Sequence, residues 1–222
     1  MMIVYPPIGL EVCIPSGKVQ TIVIEDQRLF YEITNDLYSQ INGSSGDTVI
    51  SENYVPLQLS KAADIITQFI PFTSNKKDIL SGIYNELKER AVDEAQYNVT
   101  QELYTYVEKY LYDLTEDTDV EIEYCRPGDI SVILKAFDLH IVEADKKLNE
   151  RLFEYMLAAR KYKKRAVFVT VGLRNYITDR DAKDLFQSIL LNGLTLVCLE
   201  SQAHSPIENE ARVIIDKDLC II

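Results

Sequence analysis

Apolar and polar positions alternate differently in three stretches of this 222-residue chain. The clearest pattern lies near the end. Ala166-Val167-Phe168-Val169-Thr170-Val171 is a continuous apolar run, the type buried on both faces of a parallel sheet. Residues 194–199 form a second such run. Between them Ala182, Leu185, Phe186, Ile189 and Leu190 recur at helical spacing. Thr178 is placed to cap that helix, with Asp181 three residues on, and Asn192-Gly193 to end it. Strand, helix and strand in this order predict a right-handed parallel crossover. Residues 213–215 and 219–222 predict short edge strands, separated by Asp216 and Lys217.

The first third mixes both periods. Residues 19–24 read as a strand ending in Glu25-Asp26. Leu29, Phe30, Ile33, Leu37 and Ile41 then mark a helix that Asp26 could cap and Asn42-Gly43 stops. Residues 48–50 suggest a short strand, and 62–69 a strand or helix broken by Pro71.

The middle is helical. Ile79, Leu80, Ile83, Tyr84, Leu87 and Ala91 form one stripe, and Val99, Leu103, Tyr106, Val107, Tyr110 and Leu111 continue the period. No Pro lies between residues 72 and 126, and the only Gly in that stretch is Gly82. One helix from about residue 76 to 112 would be roughly 55 Å long, enough to kink or project. Residues 129–137 predict a short helix. Residues 146–162 predict a longer one, with Leu148, Leu152, Phe153, Met156 and Ala159 on one side. The expected architecture is an α/β parallel-sheet body from residues 1–75 and 163–222, with an inserted helical section over 76–162. Fourteen tyrosines, several along the helical section, and apolar groups on more than one helix side point to oligomerisation.

Composition narrows the function classes. Asp and Glu number 35 against 23 Lys and Arg, a formal charge of −12. That argues against a protein that coats nucleic acid by bulk charge, but leaves room for a local basic surface. Cys13, Cys125, Cys198 and Cys220 have no CxxC spacing, so no zinc site is expected, and Cys198 reads as a small buried hydrophobe. The start lacks a secretory pattern and no apolar run approaches 18 residues. A cytoplasmic protein without membrane contact is expected.

Candidate chemistry centres on charge. Asp113, Glu116, Asp117, Asp119, Glu121 and Glu123 fall within eleven residues without a Lys or Arg. Such a run is either a solvated connector or an oxygen-rich site for a hard cation such as Ca2+. It is not an EF-hand, so further ligands would come from Asp129, Glu143 or another subunit. Basic residues gather at Arg160, Lys161, Lys163, Lys164 and Arg165, and at Lys76 and Lys77, the two ends of the helical section. They are either ordinary solubilising turns or one surface for DNA phosphates. Lys61, Lys135, Lys146 and Lys147 are weaker candidates. Arg174, in the loop after the strand ending at Val171, sits where α/β folds place ligands.

Other chemistries have less support. Gly43-Ser44-Ser45-Gly46-Asp47-Thr48 places Asp47 where a phosphate-binding Lys belongs, so it reads as a surface turn. His140 and His204 belong to no hydrolase motif. Glu25, Asp26 and Glu200 end predicted strands and could serve a two-metal nuclease, though Asp26 also suits a helix cap.

The order of several motifs resembles a known family. Val23-Ile24-Glu25-Asp26 precedes the Phe30 helix, and Asp64-Ile65-Ile66 precedes Asp78-Ile79-Leu80 and Ile83-Tyr84-Asn85-Glu86-Leu87. Tyr162-Lys163-Lys164-Arg165-Ala166-Val167-Phe168-Val169 carries the strongest likeness. Tyr176-Ile177-Thr178, the run from Leu194 to Glu200, and Ile215-Asp216-Lys217-Asp218 continue it. Over nearly its whole length the chain resembles the small ring-forming adaptation protein of type II-A CRISPR–Cas systems. The resemblance implies a head similar to a P-loop NTPase body without the phosphate loop, and a helical leg. It also implies a homotetrameric ring with a positive channel for double-stranded DNA ends, Ca2+ near the head–leg junction, and a task in spacer acquisition beside other CRISPR adaptation proteins. No nuclease or ATPase activity is implied. By the same likeness Leu134-Lys135-Ala136 resembles the family's helix after the acidic segment, Lys163 and Lys164 match its basic run before the strand, and residues 116–123 lie in its acid-rich segment. A metal-dependent nuclease and a purely structural scaffold are the alternatives.

Overall fold

A strand buried on both faces must find neighbours on both edges, and the terminal thirds of the chain supply them to each other. The computed structural model describes residues 1–222. Its strands are β1 (Met2–Tyr5), β2 (Leu10–Cys13), β3 (Val19–Ile24), β4 (Val49–Glu52), β5 (Val55–Pro56), β6 (Ala63–Ile66), β7 (Val167–Val171), β8 (Thr195–Glu200) and β9 (Glu210–Ile215). The helices are α1 (Gln27–Ile41), α2 (Leu59–Ala62), α3 (Lys77–Ala91), α4 (Tyr97–Thr115), α5 (Ser131–Ala136), α6 (Leu148–Lys163) and α7 (Asp179–Leu191).

Five strands make a parallel sheet in the order β6-β7-β8-β3-β9. All six residues of β3 are buried, as its place between β8 and β9 requires. Asp26 caps α1 as expected, its Oδ1 accepting from Leu29 N at 2.7 Å. Thr178 Oγ1 likewise accepts from Asp181 N at 3.1 Å and starts α7. The buried stripe of α1 (Leu29, Ile33, Leu37, Ile41) lies in the core with Ile22, Ile24, Val167, Val169 and Val197. The terminal edge strand is reduced to a bridge between Ile221 and Ile215.

A second sheet, antiparallel in the order β2-β1-β4-β5, goes beyond the single short strand expected at 48–50. Its inward residues Ile3, Tyr5, Leu10, Val12 and Ile50 join the same core. Alternation along β2 is strict, buried then exposed, but four residues are too few to declare a strand by period alone.

The chain divides into two compact units, one of residues 1–74 with 143–222, the other of residues 75–142. The helical unit therefore ends about twenty residues before the expected 162. The reason is α6. It buries Leu152, Tyr155, Met156 and Ala159 completely, and its first turn bonds to the start of α7. Lys147 Nζ lies 2.8 Å from Asp181, and Asn149 Nδ2 donates to the Asp181 carbonyl at 3.3 Å. These contacts place the expected last helix of the leg in the α/β unit.

The single helix expected from 76 to 112 is two helices, α3 and α4. The break needs neither Gly nor Pro. Asp93 Oδ1 accepts from Gln96 N and its carbonyl from Tyr97 N, both at 2.9 Å, so a carboxylate restarts the helix. Thr100 Oγ1 then donates back to the Ala91 carbonyl at 2.8 Å and fixes the turn.

Candidate nucleic-acid interface

The basic run at the end of α6 separates into inward and outward members. Lys163 Nζ lies 3.1 Å from Asp64 Oδ2 on β6, and Tyr155 Oη donates to the same oxygen at 2.6 Å. With 16% of the Lys163 side chain exposed and 12% of Asp64, this is a buried ion pair. Lys163 is thus part of the head's packing, not of a phosphate-facing surface. Arg165 donates to the Ser60 carbonyl at 2.5 Å, and Arg160, though exposed, to the Asn192 carbonyl that ends α7 at 2.6 Å. Lys164 is exposed and in the left-handed region at φ 59°, and Lys161 is exposed as well. Cations in the last turn of a helix are favoured by its dipole, which suffices to explain Arg160 and Lys161 there.

Arg174 is a second correction. Its side chain is 2% exposed, with Nη2 donating to Asp179 at 2.6 Å and to the Ser205 carbonyl at 3.2 Å. The residue stands at the sheet's ligand end as expected, but the guanidinium turns inward and meets no external phosphate.

In the helical unit Lys77 is exposed and Lys76 half-buried at the first turn of α3, and Lys135 is exposed in the last turn of α5. At α3 the dipole argument inverts. Lysines at a helix N-terminus gain nothing from it, so the placement of Lys76 and Lys77 is not explained by the helix alone.

The acids of the 113–123 run are all exposed. Asp113 lies in α4, whose last residue is Thr115, and the other five follow the helix. They do not assemble into a site: no three His, Cys, Asp or Glu side chains in the chain gather as metal ligands. The two outside partners considered are occupied. Asp129 pairs with Lys88 at 2.7 Å, and that amine with the Ser131 hydrogen bonds holds its carboxyl well below the usual range. Glu143 accepts from Thr73 Oγ1 at 3.1 Å and from Ser74 N. Within one chain, these residues do not fit a Ca2+ site.

The place of a phosphate loop is also filled. In a parallel sheet that loop joins a strand to the following helix and aims backbone N–H groups at phosphate. Between β3 and α1 stand only Glu25 and Asp26, and Asp26 spends its carboxylate on the helix N-terminus. Glu200, at the end of β8, is fully buried, and burial pushes its carboxyl up to about 7. These three acids are a connector, a cap and a buried group, not a ligand cluster. His140 Nδ1 lies 2.8 Å from the Asp138 carbonyl, and burial lowers the His204 imidazole below its usual range. Burial pushes the Cys198 thiol up to about 12, so it is inert.

The feature that sequence reading located only in outline is the outer face of α4. Val99, Leu103, Tyr106, Tyr110 and Leu114 are spaced four, three, four and four apart, one helical stripe, and all are exposed. The inner side, about 100° round the helix from the stripe, holds Thr100 and Tyr104, the only buried residues of this nineteen-residue helix. Arg126 braces that inner side. It pairs with Glu108 through two nitrogens, at 2.6 and 2.9 Å, and lies 5.1 Å from the Tyr104 ring centroid. The abundance of tyrosine was the available signal; nothing in the sequence marks the Arg126 clamp, 18 residues from Glu108.

No curated protein sequence matches the chain. Among solved structures it is similar to Stu0660 of Streptococcus thermophilus, at a TM-score of 0.58 and 14% identity, covering 97% of this chain and 74% of that one. That likeness concerns the fold. CbiO1 of Clostridium perfringens, part of the ABC transporter complex cbiONQ, overlaps at a TM-score of 0.43 and 11% identity, covering 87% of this chain and 71% of that one. A bacterial Atm1-family ABC exporter with ATP bound overlaps at a TM-score of 0.43 and 11% identity, covering 94% and 34%. Both are too loose to bear on nucleotide chemistry. The family described as CRISPR-associated protein (Cas_Csn2) matches residues 40–219, a span that runs through both units. The chain belongs to the Cas_Csn2 family of CRISPR-associated proteins.

Proposed function

We propose that this protein is a non-enzymatic binder of double-stranded DNA ends that works as a homotetrameric ring in CRISPR spacer acquisition. The observation that carries the reading is the family match over residues 40–219. Two features support it. The exposed apolar stripe of α4 is a surface that water disfavours and a second copy would cover. The filled phosphate-loop position, with its acidic connector, suits a head that does not bind nucleotide.

Lys76, Lys77, Lys135, Arg160 and Lys164 are the residues proposed to meet DNA phosphates. Such contacts carry no sequence preference, so binding would be sequence-independent and steeply salt-dependent. Lys163 and Arg174 are not among them, because both are spent inside the head. Ca2+ held by Asp113, Glu116, Asp117, Asp119, Glu121 and Glu123 would need further oxygens from a second copy. On this reading the cation belongs to the assembled ring and relieves the repulsion of the six acids as copies meet. Other CRISPR adaptation proteins would act beside the ring.

Sedimentation velocity with and without millimolar Ca2+ tests the assembly. A tetramer favoured by Ca2+ is expected. A monomer that persists at micromolar protein would overturn the proposal. A divalent-dependent loss of intact DNA, abolished by neutralising Glu25 or Asp26, would instead favour the nuclease reading.

A further inference from the structure

The β8–β9 connection, residues 201–209, is held to the sheet by two guanidinium groups. Arg174 Nη2 donates to the Ser205 carbonyl at 3.2 Å. Arg212 donates to the His204 carbonyl at 2.7 Å and more weakly to that of Ser205 at 3.4 Å. Each arginine is in turn anchored by a carboxylate, Arg174 by Asp179 at 2.6 Å and Arg212 by Glu210 at 2.8 Å. Glu210 also accepts from Thr21 Oγ1 of β3 at 2.6 Å.

Against these groups lies Glu200. Its Oε1 accepts from Arg174 N at 3.1 Å. Its Oε2 has no hydrogen-bond partner and is 3.8 Å from His204 Nε2, which has none either. Arg174 Nε and Nη1 and Arg212 Nε are likewise buried and unpartnered. Buried polar atoms are normally paired. Five unpaired atoms in one patch, two acid–base partners and three cationic nitrogens, are the components of a second arrangement.

The charged groups that act on Glu200 and His204 are Arg174, Asp179, Glu210 and Arg212. Desolvation dominates at both. It raises the Glu200 carboxyl to about 7, with Arg174 opposing and Glu210 reinforcing, and it keeps the His204 imidazole neutral to lower pH than usual. Below about pH 7, therefore, a carboxylic acid faces a ring nitrogen that burial keeps neutral, 3.8 Å away.

We propose that the β8–β9 loop is a proton-operated latch, closed by the two arginines while Glu200 is protonated and opened when Glu200 ionises and draws Arg174 away from Ser205. In the closed state the protonated Glu200 carboxyl faces His204 Nε2 at 3.8 Å without a hydrogen bond, and Arg174 and Arg212 hold the backbone carbonyls of the loop. In the open state the buried carboxylate needs cationic donors, and Arg174, whose N–H already bonds Glu200, carries two unengaged ones in Nε and Nη1. Turning them toward Glu200 withdraws Nη2 from the Ser205 carbonyl. The device belongs to the α/β unit alone and does not depend on DNA binding.

The sign is that of an acid whose folded pKa is raised. Its stabilising contribution is complete below the ordinary carboxylate range and is lost as pH rises through about 7. The test is hydrogen exchange of residues 201–209 in the full-length protein, as protection relative to the intrinsic rate at each pH. From about pH 6 to about pH 8.5 protection should fall about tenfold, with a midpoint near neutrality, while β3 amides keep theirs. Glu200→Gln should hold the loop protected at both ends of the range. Protection that is constant with pH in the unaltered protein would overturn the latch, as would the same loss in the Glu200→Gln variant. Should that variant fail to fold, the pH profile of the unaltered protein decides the question alone.

Discussion

In the α/β unit β3, β7 and β8 bury nearly every side chain, whereas α4 in the helical unit buries two of nineteen residues and leaves a five-residue apolar stripe in water. The first unit has a core that accounts for its own stability, with both termini of the chain contributing strands to one sheet. The second has a scaffold of braces, such as the Arg126–Glu108 pair and Lys88–Asp129, and a surface that asks for a partner. On the proposed reading, folding and assembly fall to different parts of the chain. Substitutions in one should not mimic substitutions in the other.

The largest expected effect is on assembly. Replacing Leu103 and Tyr110 together with Glu puts two charges at the centre of the α4 stripe. It should weaken oligomerisation by roughly 100-fold or more, as removal of two interface anchors does. The thermal transition of the α/β unit should stay where it was. If the oligomer persists, the stripe is not the interface; if the whole protein unfolds, the two units are not separable in this way.

Next comes the contrast between adjacent lysines. Lys163→Glu places a second negative charge against Asp64 in a buried position and should cost ~3 kcal/mol or more of stability, read by denaturant unfolding. Lys164→Glu should leave stability within about 0.5 kcal/mol. It should instead weaken DNA binding equally across sequences and lower the salt slope by about one for each phosphate that Lys164 neutralises. Equal unfolding midpoints for the two variants would show that Lys163 is not buried in solution.

The smallest effect compares the caps. Asp26→Ala and Asp93→Ala each remove a carboxylate that accepts from a helix N-terminus, and each should cost about 1 kcal/mol. The first should appear in the unfolding of the α/β unit. The second should appear as faster exchange of the first α4 amides with the α/β unit unchanged.

Local chemistry was legible and long-range pairing was not. The strands at 167–171 and 195–200, and the caps Asp26 and Thr178, could be read because their signals lie within a few residues. The inward turn of Lys163 could not, since Asp64 is 99 residues away. Arg174 falls at the expected end of the sheet, but its burial depends on Asp179 and the Ser205 carbonyl. The end of the helical section differs from the expected one because the apolar stripe of α6 says that it packs, not against what. In the charge pattern the acidic run looks like a site. In the fold it is exposed along its length, and a site would have to come from assembly.

On the proposed function this Cas_Csn2-family protein encircles duplex DNA at its ends. Binding of one duplex in linear and in covalently closed circular form, at equal base pairs and salt, tests it most directly. The account predicts that linear duplex is bound much more tightly, because a closed ring must thread an end. Equal affinity for the two forms would contradict it.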